Sequence, residues 1–165
     1  MDHVTDEPAA SSAALWPQVC PMLDADLGPT IDTAGWRLEV CGAVERPAVF
    51  TLDELRRLPT LVRRREVWTA RTRGVVAIEW SGLDLTVLAR LAGALPEARQ
   101  LITHCADAGY TTSLERAALA EGEALLAWAC DGEPLSADQG GPLRSVLPAR
   151  LGWKAAKAVR RIEFA

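Results

Sequence analysis

Histidine is nearly missing from this chain of 165 residues, with His3 and His104 the only two. The four cysteines (Cys20, Cys41, Cys105 and Cys130) form no CxxC pair, and no histidine stands at ligand spacing from any of them. A structural zinc site needs such groups at short, paired spacings, so that class of domain is excluded. A basic surplus is missing too: 18 Lys and Arg against 22 Asp and Glu leave a formal charge of −4. Nucleic-acid binders gather positive charge on one face, which argues against that partner. No apolar run reaches the roughly 20 residues of a membrane span. No charged stretch followed by an apolar one opens the chain as a secretory leader would. The expectation is a cytoplasmic protein with reduced thiols, away from membranes, whose partner is a small-molecule ligand or substrate.

What is present is an ordinary globular balance, 49% hydrophobic and 24% charged residues, at the size of one domain. Residues 1–32 are rich in Ala, Ser, Pro and Asp without a period, and read as a partly disordered N-terminal arm. Residues 33–165 read as the domain, without internal repeats or a long linker. Trp36-Arg-Leu-Glu-Val40 alternates as a half-buried strand does. Thr51-Leu-Asp-Glu54 is a capping box that opens a short helix ended by Pro59. Strands are expected near 61–69 and 75–80, and apolar spacing predicts an amphipathic helix over 83–92. Segments 100–105 and 124–130 read as buried strands, Asp131-Gly132 as a hairpin turn, and 144–148 and 159–164 as further strands. Short strands mixed with a few short helices, without regular βαβ alternation, give an α+β fold.

One basic run interrupts this pattern, Arg63-Arg64-Arg65, with Arg71 and Arg73 following. A solvated strand face is its plainer explanation, and the wall of an anion-facing pocket the sharper one. His104 and Cys105 are neighbours on a strand and so point to opposite faces, which removes them as a nucleophile–base dyad. Six tryptophans (Trp16, Trp36, Trp68, Trp80, Trp128 and Trp153) are many for the length, and core packing accounts for most of them.

The order of several motifs carries more than any one of them. Trp36-Arg-Leu-Glu-Val-Cys-Gly-Ala-Val44 is followed by Phe50-Thr-Leu-Asp-Glu-Leu55, then Trp80-Ser-Gly-Leu-Asp-Leu85 and Gly109-Tyr-Thr-Thr-Ser-Leu114. After these come Asp131-Gly-Glu-Pro-Leu135, Gly140-Gly-Pro-Leu-Arg144 and Gly152-Trp-Lys-Ala-Ala-Lys157. In order and spacing, over about 130 residues, this resembles the oxidoreductase molybdopterin-binding domain of the sulfite oxidase family in its compact bacterial type. The resemblance implies molybdopterin as a cofactor, an anionic ligand ending in a phosphate, held by cations and a glycine-rich approach. It places Arg144 on the cofactor, Lys154 and Lys157 with Gly152 at its phosphate end, and Gln139 where sulfite oxidases have a histidine. Removal of Arg144 is then expected to abolish ligand binding with little loss of stability. It also places Tyr110 near substrate, against a plainer reading as a core residue. If the cleft works by acid–base chemistry, Tyr110, Asp107, Thr69 and Arg71 line it with Arg144 as candidate catalytic residues.

The chain departs from the family's pattern at the metal. The family's molybdenum takes a cysteine thiolate about eleven residues before the tryptophan of its Trp-x-Gly segment. Counting back from Trp80 reaches Thr69, and no cysteine stands between Cys41 and Cys105. Threonine is a hard and normally protonated substitute, so no protein-held molybdenum is expected. A second departure is Ala108, which separates Asp107 from Gly109. Three readings stay open on the sequence: a molybdopterin-dependent oxidoreductase domain with a degenerate metal site; a metal-free enzyme of isomerase, cyclase or lyase type, using no cofactor in the same cleft; and a non-catalytic binding module.

Overall fold

A computed structural model gives the fold. It describes residues 32–69, 74–106, 110–137, 139–148 and 154–165, with backbone alone for Val67, Trp68, Thr69, Gly74 and Glu121. Strands β1 (Arg37–Gly42), β2 (Ala48–Thr51), β5 (Gln100–Cys105), β6 (Thr111–Glu115) and β10 (Val159–Phe164) make one sheet, in the order β2-β1-β10-β5-β6. The second sheet runs β3 (Leu61–Thr69), β4 (Gly74–Asp84), β7 (Leu125–Cys130) and β8 (Glu133–Pro134), with β9 (Arg144–Val146) also paired to β7. Among the described residues two helices complete the set, α1 (Leu52–Arg56) and α2 (Leu85–Ala92), with a 3₁₀ turn over Arg116–Glu121. The architecture is α+β.

The period-2 pattern accounts for the first sheet. In β1, Leu38 and Val40 are fully buried while Arg37, Glu39 and Cys41 face outward. In β10 the alternation breaks at a bulge between Val159 and Arg161, which leaves Arg160 and Arg161 both exposed before Ile162 and Phe164 return to the core. Arg160 uses that freedom to stack on the ring of Trp36, 4.5 Å from its centroid.

Strand β7 reads Leu-Leu-Ala-Trp-Ala-Cys because both of its faces are covered. Leu126 and Trp128 enter the large core under the first sheet, with Leu38, Leu83, Leu88 and Phe164. Leu125, Ala127 and Cys130 enter a second, smaller core with Ile78, Trp80 and Val146. A fully buried leucine removes enough apolar surface to contribute about 1.5–3 kcal/mol, so the two clusters dominate the stability of the sheet pair.

The helices follow their caps. Thr51 and Glu54 form the capping box in full: Thr51 Oγ1 accepts from Glu54 N at 3.1 Å, and Glu54 Oε2 accepts from Thr51 N at 2.7 Å. Helix α2 begins two residues later than its apolar spacing predicts. Leu83 and Asp84 still pair with Leu126 and Leu125 as the end of β4, and the Asp84 carboxylate caps Thr86 N at 2.7 Å. The β7–β8 turn is the hairpin expected from Asp131-Gly132, with φ of +48° and +82° at the two residues, the signature of a type I′ turn. The 3₁₀ turn has no counterpart in the sequence pattern. Its Arg116 guanidinium reaches the carbonyls of Ala94, Leu95 and Ala98 and so ties the β6 end to the loop after α2.

Candidate cofactor site

Two stretches of chain lie side by side at one end of the sheets and hold most of the expected ligand-binding residues. Ala158 N donates to Gly140 O at 2.9 Å, Val159 N to Leu143 O at 2.9 Å, and Ser145 N to Ala156 O at 2.8 Å. Ser145 Oγ in turn accepts from Ala156 N at 2.6 Å. Residues 139–145 are thereby stitched to 154–159. The tip of the β5–β6 hairpin joins them, since Ala106 N donates to Ala158 O at 2.8 Å and Lys154 Nζ to Ser113 O at 2.8 Å.

Arg144 is 4% exposed, at the first position of β9 on the face that carries the smaller core. Its guanidinium lies over the ring of Trp80, 4.9 Å from the centroid, and its Nη1 donates to the carbonyl of Gln139 at 2.9 Å. A buried arginine costs desolvation, which the aromatic face and the carbonyl offset in part. Lys157 is also buried, at 7% exposure, and its stem runs against Gly140. Gly140 has φ of +85°, and a Cβ there would stand 2.4 Å from Lys157 Cγ, so only glycine lets the turn and the lysine pack this closely. Lys154 is half-buried and directs its ammonium at β6.

Gln139, also expected at the cofactor, precedes the Gly140-Gly141-Pro142 turn. It is 8% exposed, its Oε1 accepts from Ser136 N at 2.8 Å, and its Nε2 donates to Cys130 Sγ at 3.3 Å. Both polar ends are spent inside the protein. Sequence patterning gave no sign of the three residues that frame Arg144 and Gln139, namely Trp80, Cys130 and Ser136. Trp80 and Cys130 are direct partners in the β4–β7 ladder, a relation that only the register reveals.

The expected substrate-side residues are placed less fully. Tyr110 precedes β6 and is 37% exposed, so it is not a core residue. Its carbonyl accepts from Cys105 N at 3.1 Å. Asp107, Arg71 and Gly152 lie outside the described residues, and Thr69 is described as strand backbone, paired with Gly74 at the end of the β3–β4 ladder. Six strand steps separate Gly74 from Trp80, about 20 Å at roughly 3.4 Å per residue. The Thr69 end and the Arg144 end of the cleft are thus far apart along the ribbon.

Among the described residues the thiols are scattered. Cys41 is on the outer face of the first sheet, where burial, then Glu39, pushes it above its ordinary value of 9.0. Cys105 packs against the large core and Cys130 is buried beside Gln139. His104 does point away from Cys105, and its Nε2 sits 2.9 Å from Glu163 Oε2 on the outer face. The arginine run follows the edge strand β3: Arg64 is exposed opposite Glu79, Arg63 is opposite Trp80, and Arg65 Nη2 donates to Glu123 O at 3.0 Å. The described tryptophan side chains, Trp36, Trp80 and Trp128, are all core residues. No helix among the described residues is long and apolar enough to cross a membrane.

Known proteins resemble this chain. Residues 26–165 match the family described as "Oxidoreductase molybdopterin binding domain". The chain is 32% identical over 133 residues to the uncharacterized oxidoreductase YuiH of Bacillus subtilis, covering 81% of this chain and 67% of that one. It is 35% identical over 137 residues to a putative protein-methionine-sulfoxide reductase subunit, YedZ1, of Azospira oryzae, covering 80% of this chain and half of that one. The crystal structure of the sulfane dehydrogenase SoxCD from Paracoccus pantotrophus superposes with a TM-score of 0.71 at 28% identity, over 82% of this chain and 39% of that one. The chain therefore spans only part of these proteins. With the family matched over the whole described domain, the chain belongs to the oxidoreductase molybdopterin-binding domains.

Proposed function

We propose that this domain holds molybdopterin through Arg144 and Lys157, with Lys154 and Gly152 beside them, and that it does so without giving molybdenum a protein thiolate. The observation that carries the reading is the pair of buried cations at the Gly140-Gly141-Pro142 turn, 4% and 7% exposed, brought together by the stitched segments 139–145 and 154–159. A cationic side chain buried beside a glycine turn suits an anionic ligand whose phosphate needs charge and close backbone approach.

Among the described residues the donor set fits the pterin and not the metal. Molybdenum of this family takes a soft sulfur ligand, and the matching position is Thr69. Cys41, Cys105 and Cys130 are committed to the outer face, the large core and Gln139 respectively. In this reading Tyr110, exposed at the start of β6, stands at the substrate side with Asp107, Thr69 and Arg71. The compartment is the cytoplasm, which the free thiols Cys41, Cys105 and Cys130 support.

The test is metal analysis together with pterin fluorescence on protein purified from a host that makes molybdenum cofactor. Stoichiometric pterin with little molybdenum is expected. Stoichiometric molybdenum would overturn the degenerate-site part, and absence of pterin would overturn the cofactor part.

A further inference from the structure

Four residues around Arg144 form a closed ring of contacts. The Arg144 guanidinium stacks on Trp80, and Trp80 is the direct ladder partner of Cys130. Cys130 Sγ accepts from Gln139 Nε2 at 3.3 Å, and the Gln139 carbonyl accepts from Arg144 Nη1 at 2.9 Å. From this ring we infer that Gln139 is a positioning residue, anchored by Cys130, that sets the direction of the Arg144 guanidinium and does not itself touch ligand.

Each bond of Gln139 supports that role. Its backbone N–H donates to both Ser136 O at 3.1 Å and Ser136 Oγ at 3.3 Å, and its side-chain Oε1 accepts from Ser136 N at 2.8 Å. These three, with the bond to sulfur, fix both the side chain and the peptide plane that follows it. The carbonyl of that plane is the one Arg144 meets. A guanidinium is planar, so fixing Nη1 and one face determines where the rest of its N–H groups point. An anion arriving at Arg144 then meets a donor already oriented, and the ordering that a free arginine would undergo on binding is avoided. The residue is 8% exposed, and its amide is turned inward between the Cys130 sulfur and the Ser136 N–H.

The inference rests on the proposed pterin site for its functional half, and the experiment separates the two. The full chain and its variants are made in a host that supplies molybdopterin. Two quantities are read: pterin fluorescence per protein, and the arginine side-chain ¹⁵N–¹H NMR signals of the ligand-free protein. In the wild type, the Trp80 ring 4.9 Å away is expected to displace the Arg144 signal. Cys130→Ser keeps an acceptor for Nε2 and is expected to leave both readouts unchanged. Cys130→Val and Gln139→Leu remove the link, so the Arg144 signal should move toward that of a mobile arginine and pterin retention should fall about tenfold. Because the two residues act in one chain of contacts, the double variant should be no worse than Gln139→Leu.

Unchanged readouts in Gln139→Leu would overturn the inference. Loss of pterin with a fixed Arg144 signal would overturn it as well, since Gln139 would then be touching ligand. An equal loss in Cys130→Ser and Cys130→Val would overturn the anchoring role of sulfur. If Gln139→Leu fails to fold, the two Cys130 variants decide. If the wild type carries no pterin, the proposed function fails while the NMR comparison still decides whether Gln139 sets Arg144.

Discussion

The indole Nε1–H of Trp36 donates to the carbonyl of Val159, 3.1 Å away and 123 residues further along the chain. The bond joins the approach to β1 with the first residue of β10, and Trp36 is only 1% exposed. Trp36→Ala should lower the unfolding free energy by about 3–5 kcal/mol, the range for emptying a large aromatic site. Trp36→Phe should lower it by about 1–3 kcal/mol, because the Val159 carbonyl loses its donor in a buried setting. Urea denaturation of both variants checks the order.

For Arg144 the structure changes what its removal does. A side chain 4% exposed and stacked on Trp80 is part of the smaller core, so Arg144→Ala should cost about 2–4 kcal/mol of stability in addition to losing ligand. Arg144→Lys keeps the charge without the planar stack or the fork of donors, and should retain less than a tenth of the pterin. Arg144→Met preserves most of the volume, and a thermal melt of it separates packing from charge.

Gly140→Ala should destabilise by about 1–3 kcal/mol, through a left-handed backbone and a displaced Lys157 stem. Gly132→Ala meets no neighbour within 4 Å and should show the backbone penalty alone, about 1 kcal/mol. Only the Gly140 variant should also lose pterin, as measured by fluorescence per protein.

The capping box predicts a pH dependence. The Glu54 carboxyl is held below its ordinary value of 4.5, first by the Thr51 backbone N–H and then by the Thr51 hydroxyl. A depressed carboxyl contributes stability above its ordinary value and loses it as pH falls through the folded value. Glu54→Gln should therefore flatten the acid limb below pH 4.5 and run parallel to the wild type above it. Thr51→Ala should cost about 1 kcal/mol at neutral pH.

Local chemistry made much of the fold legible from the residues. The Thr51–Glu54 box, the Asp131-Gly132 turn and the apolar spacing of Leu85, Leu88, Ala89 and Ala92 each encode their element within a few residues. The start of α2 was hidden because Leu83 and Asp84 serve the helix pattern and the β4–β7 ladder at once, and the ladder wins. Arg144 and Lys157 could be expected from motif order; that both are buried beside Gly140 could not. What motif order could not give is the pairing of Trp80 with Cys130, or the commitment of Gln139 to the interior. Those depend on contacts between residues far apart in sequence, and no local pattern carries them.

β10 is the middle strand of its sheet, in parallel register with β1, yet it is made after every other strand. Without it, β2–β1 and β5–β6 are two ribbons with no ladder between them. Loss of Val159–Phe164 would therefore leave two half-sheets with no shared backbone bond between β1 and β5, and would unstitch Leu143, beside Arg144, from its donor at Val159.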